Sequence, residues 1–367
     1  LTLSDVWRAF FYYRDAALAL SAAAPLIVEG TEMTEATREA NRLATVFGGS
    51  GFLGRHIVRA LVHQGWRIRV AVRRPDLATF LQPIGGVGQI QAVQANLRFP
   101  DSIAAAIDGA SAVVNATGVK TESGAQTYAA VHVEGALATA RAAAAARAPT
   151  YVHISGIGAN PTSSSPYVAS KGLGEKATRE AIPHAIVMRP SIVFGPEDDF
   201  FNRFGALACH LPILPLMAGG GTRLQPVYVG DVGQAVAAAL SGLARPGATY
   251  ELGGPRTMTL REAAELTLRA IDRRRLLLGL PLAPSRWIAS STQFASKATF
   301  GLFPKLLTTT RDQVDLLASD NVVSSEAEAE GRVLNALNVL PQSAEAIVPS
   351  YLARFRRTGQ YEVQRSD

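Results

Sequence analysis

The sequence predicts an α/β protein built on a doubly wound parallel sheet, followed by a smaller, mostly helical region. Two observations carry this. A hydrophobic run from Leu43 breaks into glycines three apart, Gly48, Gly51 and Gly54, in the order L-A-T-V-F-G-G-S-G-F-L-G. Downstream, strand-like and helix-like segments alternate as far as Gly195, which is the pattern of parallel strands joined by crossover helices.

The first strand ends where the glycines begin. There the chain can turn sharply, approach an anion without a Cβ in the way, and pack the next helix close to the strand. Phe52, Leu53, Ile57, Leu61 and Val62 recur at helical spacing, so a helix is expected over Phe52 to Gln64 with Gly65 as its stop. Unpaired amides at Phe52 and Leu53 then point at a phosphate. Arg67 to Val72 alternates as a second strand and runs into Arg73 and Arg74. An NAD site usually carries an acid there for the ribose hydroxyls, whereas two guanidinium groups suit a 2′-phosphate. The strand, glycine turn, helix and strand together read as a Rossmann-type site for NADPH or NADP, with NAD disfavoured.

The alternation continues with a third strand over Gln89 to Gln94, a helix over Asp101 to Ile107 and a fourth strand over Ser111 to Ala116. Asn115, Ala116, Thr117 and Gly118 end that strand at the edge where such sheets bind ligands. An alanine-rich helix over Val131 to Arg147 is easily formed. Tyr151 to Ile154 and Ile186 to Met188 read as strands five and six. Beyond Gly195 prolines and glycines become frequent, and helical stretches around Leu260 to Ile271 and Ser343 to Arg356 show no clear strand partners. The expected division is an N-terminal extension (1–40), a nucleotide-binding part (41–195, with a returning segment near 225–241), and a smaller C-terminal region (196–224 and 242–367) over the cofactor cleft.

At 367 residues and 48% hydrophobic content the chain can bury a substantial core. Its net charge of +6 suits an anionic cofactor and an acidic surface, and no nucleic-acid-reading motif is present. The single cysteine, Cys209, excludes an internal disulfide and a cysteine metal site, which points to a reducing compartment. No apolar run reaches the roughly 18 residues that span a bilayer. Met33 stands ten residues before the first strand, where such domains usually begin, so residues 1–32 are expected to be an upstream extension outside the native core. His56, expected on a polar helix face, and His63 lack the spacing partners of metal ligands. Asp231 is expected to cap a helix over Val232 to Leu240.

Tyr167 and Lys171 stand four apart and share a helix face. An ammonium beside a phenol stabilises phenolate and would draw the tyrosine below its usual value near about 10, making it a proton carrier.

With G-G-S-G-F-L-G, V-R-R-P, Y-V-A-S-K and R-P-S-I-V-F-G-P in this order, Ala44 to about Asp231 resembles the extended or atypical branch of the short-chain dehydrogenase/reductase superfamily. The resemblance implies NADP held by Gly48, Ser50, Gly51, Phe52, Leu53, Gly54, Arg73 and Arg74. It places Asn96 and Leu97 toward the adenine, and Ala116, Thr117, Gly118, Ser155, Pro190 and Val193 along the cofactor. Lys171 would meet the nicotinamide ribose beside Tyr167, the pair being catalytic or vestigial. Two departures stand out. Ile157 falls where the enzymes place a carbonyl-polarising serine, with Ser155 nearer the strand, and the segment between strand five and Tyr167 is short, which moves or trims the loop that frames the substrate; Asn96 likewise stands where an aspartate often contacts the adenine.

F-F-N-R-F at Phe200, the run from Leu214 to Val232 and L-L-T-T-T-R-D-Q-V-D-L-L further resemble the 39-kDa accessory-subunit family of respiratory complex I (NADH:quinone oxidoreductase) and its bacterial relatives, over Ala44 to about Tyr361. That resemblance implies a respiratory-chain accessory subunit in which NADPH is structural, at the junction of peripheral and membrane arms, partnered by complex I subunits near the quinone site. The place implied is peripheral, on the cytoplasmic face of a bacterial inner membrane or the matrix face of a mitochondrial one. Arg273 to Arg311 fits such a place, with seven basic residues (Arg273, Arg274, Arg275, Arg286, Lys297, Lys305, Arg311), no acid, and Leu276, Leu277, Leu278, Trp287, Phe294, Phe300 and Phe303 interleaved. It reads as a surface for anionic lipid, or else as a lid whose arginines are solvated. The function expected first is the structural subunit. The alternative is an active NADP-dependent reductase, epimerase or dehydratase working through Tyr167 and Lys171.

Overall fold

Strand β1 (Leu43–Phe47) is nearly continuously buried, as an interior strand of a parallel sheet covered on both faces is. The computed structural model describes residues 42–298, 310–357 and 359; the expected extension over 1–32, Phe300, Phe303 and Lys305, and the side chains of Phe294, Lys297 and Arg311 lie outside the described residues. From β1 the chain passes through α1 (Phe52–His63), β2 (Arg67–Val72), β3 (Ile90–Gln94), α2 (Pro100–Ile107), β4 (Ala112–Asn115), α3 (Gly135–Ala145), β5 (Thr150–Ile154), α4 (Pro166–Ala181) and β6 (Ile186–Pro190). The later elements are β7 (Val193–Phe194), α5 (Phe201–His210), β8 (Ile213–Leu216), β9 (Arg223–Leu224), β10 (Val227–Tyr228), α6 (Val229–Leu240), β11 (Thr249–Leu252), β12 (Met258–Thr259), α7 (Leu260–Ala270), β13 (Leu276–Gly279), α8 (Leu282–Ala298), α9 (Arg311–Leu316), α10 (Ser325–Ala329) and α11 (Ala344–Leu352).

Seven strands form one sheet in the order β11-β6-β5-β4-β1-β2-β3, every neighbouring pair parallel. This is the expected doubly wound Rossmann-type sheet. Its order reverses between β1 and β4, so the crevice where such sheets take ligands lies at the carboxyl ends of those two strands. Ile57, Leu61, Val70, Val236 and Leu252 belong to one buried cluster, and Phe47, Ile103, Ala140 and Tyr151 belong to another. A third, built from Phe194, Phe201, Leu214, Leu266 and Val348, holds the later helices together.

Three local expectations are corrected. Thr249–Leu252, placed by the sequence in the smaller C-terminal region with no strand expected there, is the seventh strand of the sheet, in register with Val187–Pro190. Glu251 breaks its apolar pattern, and the structure satisfies that buried carboxylate with the Ser324 amide at 2.8 Å. The helix expected from Val131 starts instead as a π-turn over Ala129–Glu134. Asp231 does not cap α6: it is buried in the first turn, where its oxygens accept from the Gln342 amide at 2.7 Å and the Gln342 side chain at 3.2 Å.

Candidate functional site

The glycine turn closes the crevice with almost no clearance. Gly48 has φ +75°, and a Cβ there would lie 2.9 Å from the Ala116 carbonyl oxygen at the end of β4. A Cβ on Gly54 would come within 2.1 Å of the Gly48 carbonyl oxygen, so the third glycine lets α1 pack against the turn. Gly51 occupies the N-cap of α1 in extended geometry with no side-chain cap and no acid in the first turn. The positive end of the helix is thus left for an external anion.

A cavity of about 840 Å³ opens from this turn. Gly51, Phe52, Leu53 and Gly54 line it from α1, and Ala116, Thr117 and Gly118 from the end of β4. Ser155, Tyr167, Lys171, Pro190 and Val193 also line it, so the structure brings these expected residues together. Gly48 and Ser50 belong to the turn itself, the Ser50 carbonyl accepting from Arg55 at 3.3 Å. Arg73 and Arg74 are exposed past the end of β2, Arg74 paired with Asp76 at 2.8 Å. Asn96 accepts from the Arg98 amide, and Leu97 packs against Gly135 of α3. None of these six lines the cavity.

Lys171 is buried, and its Nζ donates to the Ile154 carbonyl at 3.3 Å. Burial pushes it down to about 8, opposed by the Glu175 charge. The sequence argument has Lys171 drawing Tyr167 down; in the structure burial pushes the phenol up instead. Ser155 Oγ is buried without a hydrogen-bond partner among the described residues. An orphaned hydroxyl, a lysine with protons to spare and a cradle that a Cβ would fill together fit the ribose and phosphates of a dinucleotide.

Sequence reasoning missed His132. The Val119 amide donates to its Nε2 at 3.0 Å, so Nδ1 carries the proton toward Ser170 Oγ at 2.9 Å, which in turn donates to the Tyr167 carbonyl at 2.7 Å. The wide turn before α3 aims this ring, and Tyr128 stacks on it at 5.6 Å with Tyr167 edge-on to both. A second missed network runs from His153 through Asn115 and Thr139 to Tyr151. His56, expected on a polar face, is buried. Among the described residues no cluster of His, Cys, Asp or Glu could hold a metal.

Burial, reinforced by the Lys171 charge, pushes both His132 and His153 down to about 3. Unfolded, each titrates near about 6.5, so between these limits the unfolded chain binds more protons and acid favours unfolding. Stability should fall from pH 6.5 toward 5 by about 1.4 kcal/mol per unit for each histidine. His132→Gln should halve that histidine part of the slope in urea titrations at pH 7 and pH 5; an unchanged slope would show that His132 titrates normally.

In the basic segment the cations do not all face outward. Arg273 donates to the Phe355 carbonyl at 3.0 Å, Arg275 to the Ala208 carbonyl at 2.8 Å, and Arg286 pairs with Asp315 at 2.7 Å. Arg274 is exposed, and so are Leu276, Leu278 and Trp287, while Leu277 packs inward. Among the described residues no helix is long and apolar enough to cross a membrane.

The NAD dependent epimerase/dehydratase family matches residues 44–253. Over 321 residues the chain is 32% identical to the mitochondrial NADH dehydrogenase [ubiquinone] 1 alpha subcomplex subunit 9 of Arabidopsis thaliana, covering 86% of this chain and 79% of the relative. The chain belongs to the NAD dependent epimerase/dehydratase family, in the branch of the complex I subunit 9 proteins. The chain is also 33% identical over 193 residues to the ceramide reductase of Caulobacter vibrioides, covering 53% of this chain and 59% of that one. The crystal structure of gox2253 superposes with a TM-score of 0.66 at 22% identity, covering 88% of this chain and all of the other, and shares the epimerase-like fold.

Proposed function

We propose that this chain is an accessory subunit of a membrane NADH:quinone oxidoreductase that holds NADPH as a structural element and does not turn it over. The observation that supports it is the likeness to the subunit 9 protein over 86% of the chain, which runs well beyond the family domain ending at residue 253. In this reading residues 41–195 with 225–241 hold the nucleotide, and 196–224 with 242–367 close the cleft, Thr249–Leu252 lending its strand to the sheet. Gly48, Ser50, Gly51, Phe52 and Leu53 hold the pyrophosphate, Asn96 and Leu97 flank the adenine, and the exposed Arg73 and Arg74 take a 2′-phosphate, which favours NADPH over NAD. Ser155, Lys171, Pro190 and Val193 meet the nicotinamide half.

Tyr167 fits this role better than a catalytic one, because burial holds its proton and Ile157 stands where a polarising serine would be. Binding only the native state, the nucleotide would stabilise the fold by about 4 kcal/mol at a thousandfold excess over its Kd. Exposed Ile213, Leu276, Leu278 and Trp287 beside Arg274 support peripheral contact with an anionic membrane near the quinone site, on the cytoplasmic or matrix side. A second reading, an active NADP-dependent reductase, epimerase or dehydratase, is favoured by Tyr167 and Lys171 lining one cavity. A bound nicotinamide would supply hydride there, and Tyr167 would move the proton.

Gentle detergent extraction of native membranes tests the first reading. The chain should comigrate with NADH:quinone oxidoreductase activity and carry NADPH, and Tyr167→Phe should leave both unchanged. A chain that never meets the complex, with a turnover that Tyr167→Phe abolishes, would establish the second.

A further inference from the structure

The cavity has two chemically different ends. At the glycine turn it offers amides, Ser155, Tyr167 and Lys171. At the other end its walls are Phe204, Leu207, Leu211, Met217, Ile288 and Leu316. The polar groups that also line the cavity are engaged within the protein: Lys120 pairs with Asp199, whose charge also acts on Arg203, Thr292 donates to the Ala289 carbonyl at 3.1 Å, and burial pushes Asp312 up toward its neutral form. A sugar or other polyhydroxylated substrate needs hydrogen-bond partners along its length, and these walls leave it desolvated and unpaired. A hydrocarbon chain loses nothing by entering and gains with each methylene that leaves water.

The same elements carry apolar side chains to the outside. Helix α8 gives Ile288 to the cavity and holds the adjacent Trp287 74% exposed. Strand β8 gives Pro215 to the cavity and leaves Ile213 exposed, and its parallel partner β13 exposes Leu276 and Leu278. An outer surface suited to acyl chains and an inner wall suited to them are thus two sides of one layer, with Arg274 exposed at its edge.

We propose that this end of the cavity binds the hydrocarbon tail of a membrane amphiphile, entering by way of the layer formed by β8, β13 and α8, with its small oxygenated head toward Tyr167 and Lys171. The direction of the head rests on the nucleotide-binding reading of the glycine turn; the tail site does not. The tail could be the acyl chain of a lipid or the isoprenoid chain of a quinone, which share the same apolar chemistry.

The purified, delipidated full chain should bind cis-parinaric acid saturably, one per chain, as read by its fluorescence. Displacement by palmitic acid would identify an acyl source, and displacement by ubiquinone-2 an isoprenoid one. Leu207→Trp, which fills the space, and Leu207→Asp, which charges it, should each weaken parinarate at least tenfold while NADPH binding, followed by nucleotide fluorescence, stays unchanged. Should Leu207→Asp lose NADPH through misfolding, Leu207→Trp decides. Binding that does not saturate, that neither competitor displaces, or that both folded variants retain overturns the tail site. A chain that binds parinarate as described but never NADPH upholds the tail site and overturns the nucleotide reading.

Discussion

Gly54→Ala should destabilise the protein by about 3 kcal/mol or more and abolish nucleotide binding. The added Cβ would lie 2.1 Å from the Gly48 carbonyl oxygen and 2.7 Å from the Gly49 Cα, both backbone atoms. No flexible side chain can yield, so α1 must lift from the turn, and every contact it makes through Ile57, Val58 and Leu61 shifts with it. Gly51→Ala is the control. Its Cβ would meet only the Gly48 oxygen at 3.2 Å, a contact that a small adjustment relieves. Urea unfolding of the pair, with NADPH fluorescence on each, separates packing from binding; equal midpoints would mean that α1 is not held this closely.

Glu175→Ala should cost about 3–5 kcal/mol, as breaking a buried ion pair does when it strands the partner. Glu175 is almost fully buried on α4 and receives Arg189 in a bidentate pair, Nε to Oε1 at 2.9 Å and Nη2 to Oε2 at 2.7 Å. That pair holds the Arg189 guanidinium above its ordinary value. Glu251 lies 3.8 Å from the same guanidinium and can take over only part of the charge. Glu175 also lies one turn beyond Lys171 and is the group that keeps the lysine's proton on against burial. Removing it should therefore lower the Lys171 titration below about 8 as well. Reductive methylation with isotope-labelled formaldehyde reads that shift by NMR, and denaturant titration reads the stability. The double variant Glu175→Leu with Arg189→Met should recover much of the loss, since an apolar pair of similar volume leaves no stranded charge. No recovery would place the cost in packing instead.

The parts of the fold legible in the sequence are those where one local rule dominates. Strand β2 and the start of α1 fall where alternation and the glycine turn put them. Strand β11 was illegible because Glu251, satisfied only by residues some seventy positions away, interrupts its apolar pattern. Asp231 misled for a related reason: an acid in the first turn of a helix reads as a cap, and only the tertiary structure brings Gln342 to it. At the site, spacing announced the glycines and the Tyr167–Lys171 pair. His132 carries no such signal, since its role depends on a π-turn and on Ser170 of another helix. The effect of burial on Tyr167 also lay beyond the sequence, because a nearby lysine argues for one direction and desolvation for the other.

Strand β11 stands at the margin of the sheet, and its outer side is covered from far along the chain. The Glu251 amide donates to the Arg332 carbonyl at 2.9 Å, and the Arg332 guanidinium donates to the Thr249 carbonyl at 2.8 Å. A bare margin would recruit strands from other molecules. During synthesis β6 has no neighbour on that side while everything between Pro190 and Thr249 is still being made, and β11 then waits for Arg332. An unpaired strand margin thus persists until the chain has been made as far as Arg332, so the hazard of edge-to-edge association lies late in synthesis.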